Sequence, residues 1–526
     1  MIITDRRRLR VASCFVESRD NVRMGTAQGR WVLLATILGS GMAMLDGTVV
    51  NVALRVIGSD LDADLADLQW VVNAYMLALA SLILVAGSLG DLLGRRRVFL
   101  VGVAWFAAAS VLCGLAQDPM LLIVARALQG VGGALLTPGS LAILQANFHR
   151  YDRARAIGAW SGLGGVAAAL GPFLGGWLVQ EASWRYVFLL NVPVAAAVVV
   201  VTLRHVPESC DRTVAGRHVD VVGASLGALG LAGVTYALTE AGEGGGGLAI
   251  PLLVAGLAAL AAFVVHQRGA AHPMVPPSLF GSRTFTVSNM LTLVVYAALG
   301  AMFFFLVLQL QVAMGFSPLQ AGISLLPVTI LMLGLSARSG ALAARLGPRP
   351  QMSAGPIVCA VGVLLLVGVD ADRSYLTGVL PGVSVFALGL TLLVAPLTAT
   401  VLAAAPDRLA GVASGVSNAV ARSGGLLAVA ALPAVVGLSG ADYDDPVAFG
   451  AGYRAAMVVS AVLLALGGLM ALIGLRRTGV QLLADTEPDA KPGAAPDEQV
   501  FELPHCPPAS STRANQSSRR TQRSGT

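Results

Sequence analysis

The chain has 526 residues, 56% of them hydrophobic and only 12% charged, with a mean hydropathy of +0.75. Soluble domains carry about 25% charged residues, so a soluble globular protein is excluded and an integral membrane protein is indicated. The net charge of +6 is read as basic loops rather than as a nucleic-acid footprint. Cys14, Cys113, Cys210, Cys359 and Cys506 show no paired spacing, so neither a disulfide framework nor a metal site is expected.

Residues 1–30 read as a polar, arginine-rich tail, with Met24 as an alternative start. Fourteen apolar stretches of about 20 residues follow, at 31–53, 69–90, 98–116, 120–144, 155–178, 185–203, 219–239, 248–267, 285–311, 319–337, 352–369, 375–396, 411–436 and 454–475. The first is too long for a signal peptide and lacks a cleavage pattern, so it is read as retained. One set of loops is basic, with Arg95, Arg96 and Arg97, then Arg150, Arg153 and Arg155, and later Arg345 and Arg349. The alternate loops are acidic, with Asp60, Asp62, Asp64 and Asp67, then Asp118, Asp442 and Asp445. The excess of arginine on one side places that side, and both termini, in the cytoplasm.

Asp46 interrupts the first stretch, in MLDGTVVNVAL. A carboxylate at that depth costs a few kcal/mol and needs a partner, a wet cavity or a raised pKa. It can serve as a structural hydrogen-bonding group or as a proton carrier. Arg126 lies about one and a half turns into the fourth stretch, and its permanent charge needs an anion. A static ion pair and a proton-coupling pair both satisfy that need. Gln129, one turn on, stands ready to orient either group or to line the substrate cavity.

The basic turn GSLGDLLGRRR from Gly87 has a second copy, GALAARLGPR, from Gly340. Gly87, Leu89, Leu93, Gly94 and Arg96 recur as Gly340, Leu342, Leu346, Gly347 and Arg349, whereas Asp91 is replaced by Ala344. Each copy follows the second stretch of its half, which implies two parallel six-helix bundles with a site between them near the midplane. Two additional stretches, joined by AGEGGGG, account for the excess length between the halves. Asp91 is placed to cap a neighbouring helix or pair with arginine, as a latch that breaks when the halves rock. A basic turn that merely fixes topology is the simpler alternative.

These stretches resemble the major facilitator superfamily, and within it the fourteen-helix drug:proton antiporter group. LDGTVVNVAL from Leu45 is similar to the group's first-helix motif, departing where Arg55 replaces the usual proline. GSLGDLLGRRR resembles the superfamily's signature loop, RALQGVGGA from Arg126 the fourth-helix motif, and GVAAALGPFLGG from Gly165 the antiporter motif of exporters. LQWVVNAYMLALA from Leu68 and WRYVFLLNVP from Trp184 also look like this group. The resemblance covers residues 30–475. It implies proton coupling by Asp46 and Arg126, and a gating loop containing Gly87, Asp91, Gly94, Arg95 and Arg96. It further implies a cavity seal at Gly171, Pro172, Gly175 and Gly176, where proline kinks the helix and glycines permit close packing.

The last six stretches hold no buried Asp or Glu, and Arg422 is the charge set well inside them. One carboxylate and two arginines make a poor trap for dications, which favours neutral, weakly cationic or anionic amphipathic substrates. Tyr296, Phe303 and Arg422 join Gln129 as candidate cavity residues, although a lipid-facing Phe303–Phe305 run is as common. No nucleotide-binding loop, metal cluster or nucleophile–base spacing appears, so neither an enzyme nor an ATP-driven pump is expected.

The sequence therefore reads as an all-α integral membrane protein of the major facilitator fold, two six-helix bundles plus two inserted helices. Its segments are a tail at 1–30, a bundle at 31–203, a linker with two extra helices at 204–284, a bundle at 285–475 and a disordered tail at 476–526. The expected activity is proton-driven export of lipophilic small molecules across a bacterial inner membrane. The expected partners are that substrate, protons and lipid, for a monomer with no cofactor, metal or nucleic acid.

Overall fold

The computed structural model describes residues 22–209, 220–242, 247–271, 273–370, 374–406, 409–439, 442 and 445–475. The expected tail at 476–526, most of the tail at 1–30, the centre of the glycine hairpin and the side chain of Asp91 lie outside the described residues. Among those described, fourteen helices are long and apolar enough to cross a membrane. The first half contains α1 (Ala27–Leu61), α2 (Leu65–Leu93), α3 (Arg95–Gly114), α4 (Pro119–Asn147), α5 (Arg150–Glu181) and α6 (Arg185–His205, interrupted at Leu190). The inserted pair is α7 (Val221–Gly242) and α8 (Ala249–Gly269). The second half contains α9 (Arg283–Val312), α10 (Pro318–Ser324 continuing as Leu326–Leu346), α11 (Pro348–Leu366), α12 (Tyr375–Ala403, opening in a π turn), α13 (Ala410–Val435) and α14 (Pro446–Gly474).

Several helices outrun their apolar stretches because polar residues cap them. Thr26 starts α1 four residues before the stretch read at 31–53 by accepting from the Gly29 amide at 3.1 Å. The acidic-loop carboxylates do the same on the opposite side. Asp64 accepts from the Asp67 amide, Asp118 from Leu121 and Asp445 from Val447, each at 2.8 Å, at the starts of α2, α4 and α14. A carboxylate there satisfies an otherwise unpaired amide and faces the positive end of the helix dipole.

The repeated turn has the same backbone in both copies. Gly94 (φ 105°) ends α2 and precedes α3, and Gly347 (φ 78°) ends α10 and precedes α11. Positive φ of this kind is the province of glycine. The following arginines also act alike. Arg96 donates to the Leu203 carbonyl at 3.0 Å, and Arg349 donates to the Leu472 carbonyl at 3.1 and 2.6 Å. Each therefore closes the frayed end of its own bundle's last helix.

The halves meet along α2 with α13 and α5 with α10. Gly415 lies against Leu84 and Gly425 near Met76, so α13 runs along α2 in close contact. The inserted α7 covers this seam from outside, packing on both α2 and α13, with Trp70 and Tyr236 rings 6.0 Å apart. The second seam is uneven. On the acidic side, Gly176 abuts the Pro318 backbone and Gly322 abuts the Pro172 carbonyl. Toward the arginine-rich side, Gly158, Gly162 and Gly165 of α5 and Gly334 and Gly340 of α10 meet nothing within 4 Å. Gly158, Gly162 and Gly165 share a helix face with Pro172 and Gly176 by 3.6-residue periodicity. The face that touches α10 at one end is thus free at the other, and the two helices diverge toward the arginine-rich side.

Candidate functional site

Asp46, Arg126 and Gln129 converge in the first half, fully shielded from solvent. Arg126 donates through one terminal nitrogen to Asp46 Oδ2, and to Gln129 Oε1 at 2.6 Å. Gln129 Nε2 donates in turn to Asp46 Oδ1 at 2.8 Å and to Ser110 Oγ at 2.9 Å. Asn191 Nδ2 reaches the same Oδ1 and the same hydroxyl, both at 3.3 Å. Both carboxylate oxygens are therefore engaged by donors, and two of those donors belong to neutral amides.

The guanidinium is held from three other directions. Its Nε donates to the Val71 carbonyl at 3.0 Å. The Tyr75 ring lies 4.3 Å from its centre and the Phe188 ring 5.7 Å. Tyr75 is itself pinned by donating to the Ala43 carbonyl at 3.1 Å. An ion pair buried this deeply is tolerable because further hydrogen bonds, to Val71, Gln129 and Asn191, support both partners. Breaking it by removing one partner would strand the other charge, at a cost of about 3–5 kcal/mol.

Five helices build the cluster, α1, α2, α3, α4 and α6. The interruption of α6 at Leu190 immediately precedes Asn191. The Trp184 run is anchored at its other end by Asp60, which accepts from Trp184 Nε1 and from Arg185, each at 2.8 Å. Gly171 and Gly175 let α5 press on α1 at Leu45, Thr48 and Val49, the residues flanking Asp46. The antiporter-like run thus buttresses the helix that carries the carboxylate, while Gly176 and the Pro172 carbonyl close the seam with α10.

Gln129, read from sequence either as orienting the ion pair or as lining the cavity, is a buried member of the ion-pair network. It also accepts from Cys113 Sγ at 3.6 Å and donates to Ser110 Oγ. Phe303 is half-buried and packs edge-on against Phe386 of α12, ring centres 6.0 Å apart. Phe304 and Phe305 are buried, not lipid-facing. Tyr296 is 37% exposed, although it lies midway along α9. Arg422 is half-buried in α13, and its charge is within electrostatic reach of Tyr75 and Tyr296.

The gating-loop residues gather around Glu208, a residue that sequence reading passed over. Its carboxylate accepts from the Arg96 amide at 3.0 Å and pairs with Arg97 at 3.6 Å. It also occupies the space where a Cβ on Gly94 would sit, 2.8 Å away. The Arg95 amide donates to the Ser209 carbonyl at 2.9 Å. A Cβ placed on Gly87 would lie 3.9 Å from Pro138 of α4. Asn191 and Ser110 were likewise missed as site residues. Asn191 falls in a run noted only for its likeness to a family, and Ser110 sits in an apolar stretch without any marker.

Residues 36–429 match the family model of the Major Facilitator Superfamily, and the chain belongs to that superfamily of membrane transporters. It is 36% identical over 428 residues to a probable actinorhodin transporter of Streptomyces coelicolor, covering 78% of this chain and 74% of that one. It is 36% identical to a puromycin resistance protein of Streptomyces alboniger, covering 77% and 81%. A methylenomycin A resistance protein of Bacillus subtilis is 35% identical, covering 84% and 93%. Among solved structures, a D-xylose-proton symporter superposes with a TM-score of 0.62 at 13% identity, covering 86% of this chain and 99% of that one. At that identity the likeness establishes the fold alone.

Proposed function

We propose that the chain is a proton-coupled antiporter that exports lipophilic small molecules from a bacterial cell. The arginine-rich side and both termini face the cytoplasm, by the positive-inside rule. The reading is carried by one observation: a membrane-depth carboxylate, Asp46, is fully buried against Arg126 and two amides on a helix clamped by α5. Neither oxygen is exposed to solvent in this arrangement. Proton exchange at Asp46 therefore requires a state in which α1, α4 and α6 have parted, and such a requirement ties protonation to conformation.

The divergence of α5 and α10 toward the arginine-rich side supports a cavity open to the cytoplasm in this state. Rocking the halves the other way would open the acidic side. One proton crossing about 100 mV supplies about 2.3 kcal/mol, and a favourable pH unit about 1.4 kcal/mol. Their sum sustains a gradient of several hundred-fold for a neutral substrate exchanged one for one.

The relatives favour a second reading in which the substrate is one product of the host itself. Several of them are named for a single compound, among them a probable actinorhodin transporter and a tetracenomycin C resistance and export protein. A non-transporting sensor on the same fold stands further off. Purified protein in proteoliposomes separates these readings, with actinorhodin, puromycin and methylenomycin A as probes. Asp46→Asn should lose gradient-driven accumulation while retaining substrate-for-substrate exchange. Equal accumulation by wild type and variant would refute proton coupling at Asp46, and no exchange by either would favour the sensor.

A further inference from the structure

Arg422 lies near the middle of α13 and makes no hydrogen bond or ion pair among the described residues. The sequences of α9–α14 contain no Asp or Glu that could pair with it. Asp46, the carboxylate at comparable depth in the other half, is already bound by Arg126, Gln129 and Asn191. A guanidinium cannot shed its charge by losing a proton, and an ionised group at membrane depth that lacks a partner marks a pathway or a ligand site. The seam around Arg422 is placed to present one. A Cβ placed on Gly425, one turn away, would lie 3.7 Å from Met76 of α2 and 3.8 Å from the Tyr296 carbonyl of α9, so Arg422 sits where the halves meet.

The surroundings suit an organic anion with an aromatic or otherwise apolar frame. Tyr296 and Asn418, the latter one turn from Arg422, are both exposed. The charge of Arg422 reaches the Tyr296 phenol across from α13, and Asn418 lies on the same helix as Arg422. Arg126 stacks on Tyr75 at 4.3 Å and is neutralised by Asp46, whereas Arg422, whose charge also reaches Tyr75, has no such counter-ion among the described residues.

We propose that Arg422 binds the acidic group of the cargo, and that the preferred cargo is an amphipathic monoanion, a carboxylate or enolate on an apolar frame. Arginine offers a planar pair of donors that matches a carboxylate in a bidentate contact. The assignment rests on the transport reading above and narrows its substrate class. It also has an energetic consequence. A monoanion leaving and a proton entering move charge in the same electrical sense, so each exchange transfers two elementary charges and gains twice from the membrane potential.

The test is binding to purified protein in lipid nanodiscs, which needs no proton gradient and so stands apart from the test of coupling. The probes are 1-pyrenebutyrate, its neutral amide and 4-(1-pyrenyl)butylamine, with binding to empty nanodiscs subtracted. Wild type should bind the carboxylate at least tenfold tighter than the amide or the ammonium. Arg422→Gln should weaken the carboxylate about tenfold and leave the amide unchanged, and Arg422→Lys should recover part of the loss. Without ligand, Arg422→Gln should melt at or above the wild-type temperature, because it removes an unpaired charge from the membrane interior. Wild-type failure to bind the carboxylate, equal binding of all three probes, or parallel loss of all three in Arg422→Gln would overturn the assignment.

Discussion

Arg96 and Arg349 make the same contact in the two halves of the molecule. Each reaches from the first turn of the third helix of its bundle to a carbonyl in the last turn of the bundle's final helix, Leu203 for one and Leu472 for the other. The last carbonyls of a helix lack internal partners, and a cation there also faces the negative end of the dipole. Arg349→Gln should therefore destabilise the protein by about 1 kcal/mol, read as a fall in melting temperature in detergent. An unchanged midpoint would show that the contact is incidental.

Gly94 is constrained twice, by its φ of 105° and by the Glu208 carboxylate packed where a side chain would begin. Gly94→Ala should cost about 1–3 kcal/mol from backbone strain alone. Glu208→Gln should cost less, since it keeps an acceptor for the Arg96 amide while losing the Arg97 pair. Chemical denaturation of the three proteins should rank them wild type, Glu208→Gln, Gly94→Ala. The reverse order for the two variants would contradict this account of the loop.

Gly322 abuts the Pro172 carbonyl at the closed end of the α5–α10 seam. Gly322→Ala should pry the helices apart there and shift the population toward the state open on the acidic side. A single cysteine replacing Leu333, 52% exposed here, would report the shift through slower alkylation from the arginine-rich side. Faster or unchanged labelling would show that the seam does not control access.

Asp220, just before α7, accepts from the Gly223 amide at 2.8 Å, His266 Nε2 at 2.8 Å and Gln267 Nε2 at 2.7 Å. Burial alone would raise its pKa, but these three donors outweigh burial and hold it below the ordinary carboxylate value. A depressed carboxylate pKa contributes stability above its unfolded value, near 3.9, and loses it as pH falls through the lower folded value. The α7–α8 pair should therefore keep this tie throughout the neutral range and lose it only below about pH 4. Asp220→Asn should mimic that loss at pH 7, seen as faster hydrogen exchange at Gly223 and at Val275, whose amide donates to Gln267 Oε1 at 3.0 Å. No change at either amide would show that Asp220 does not organise the pair.

Fourteen spans and the duplicated turn were legible in the sequence because lipid imposes a length on apolar stretches and glycine imposes itself on a positive φ. Helix ends were not, because Thr26 and Asp64 extend α1 and α2 through caps that hydropathy does not register. Asp46 and Arg126 stood out because charges in an apolar stretch are costly. Asn191 and Ser110 carry no charge and raise no such flag. They became site residues only when α3 and α6 were brought against α1 in space. Gln129 was legible as a group that could orient Asp46 or Arg126, since helical spacing puts it one turn from Arg126, but that spacing does not show that α1 and α3 enclose it. Glu208 lies beyond α6, and nothing in its surroundings points back to Gly94.

Proton release from Asp46 on substrate binding tests the central claim most directly. Everted membrane vesicles, acidified inside and loaded with a pH-reporting dye, would receive the same antibiotics, with wild type compared against Asp46→Asn. The account predicts substrate-triggered proton efflux from wild-type vesicles and none from the variant. Equal efflux from both would move the proton site elsewhere and contradict the role given to the Asp46–Arg126 pair.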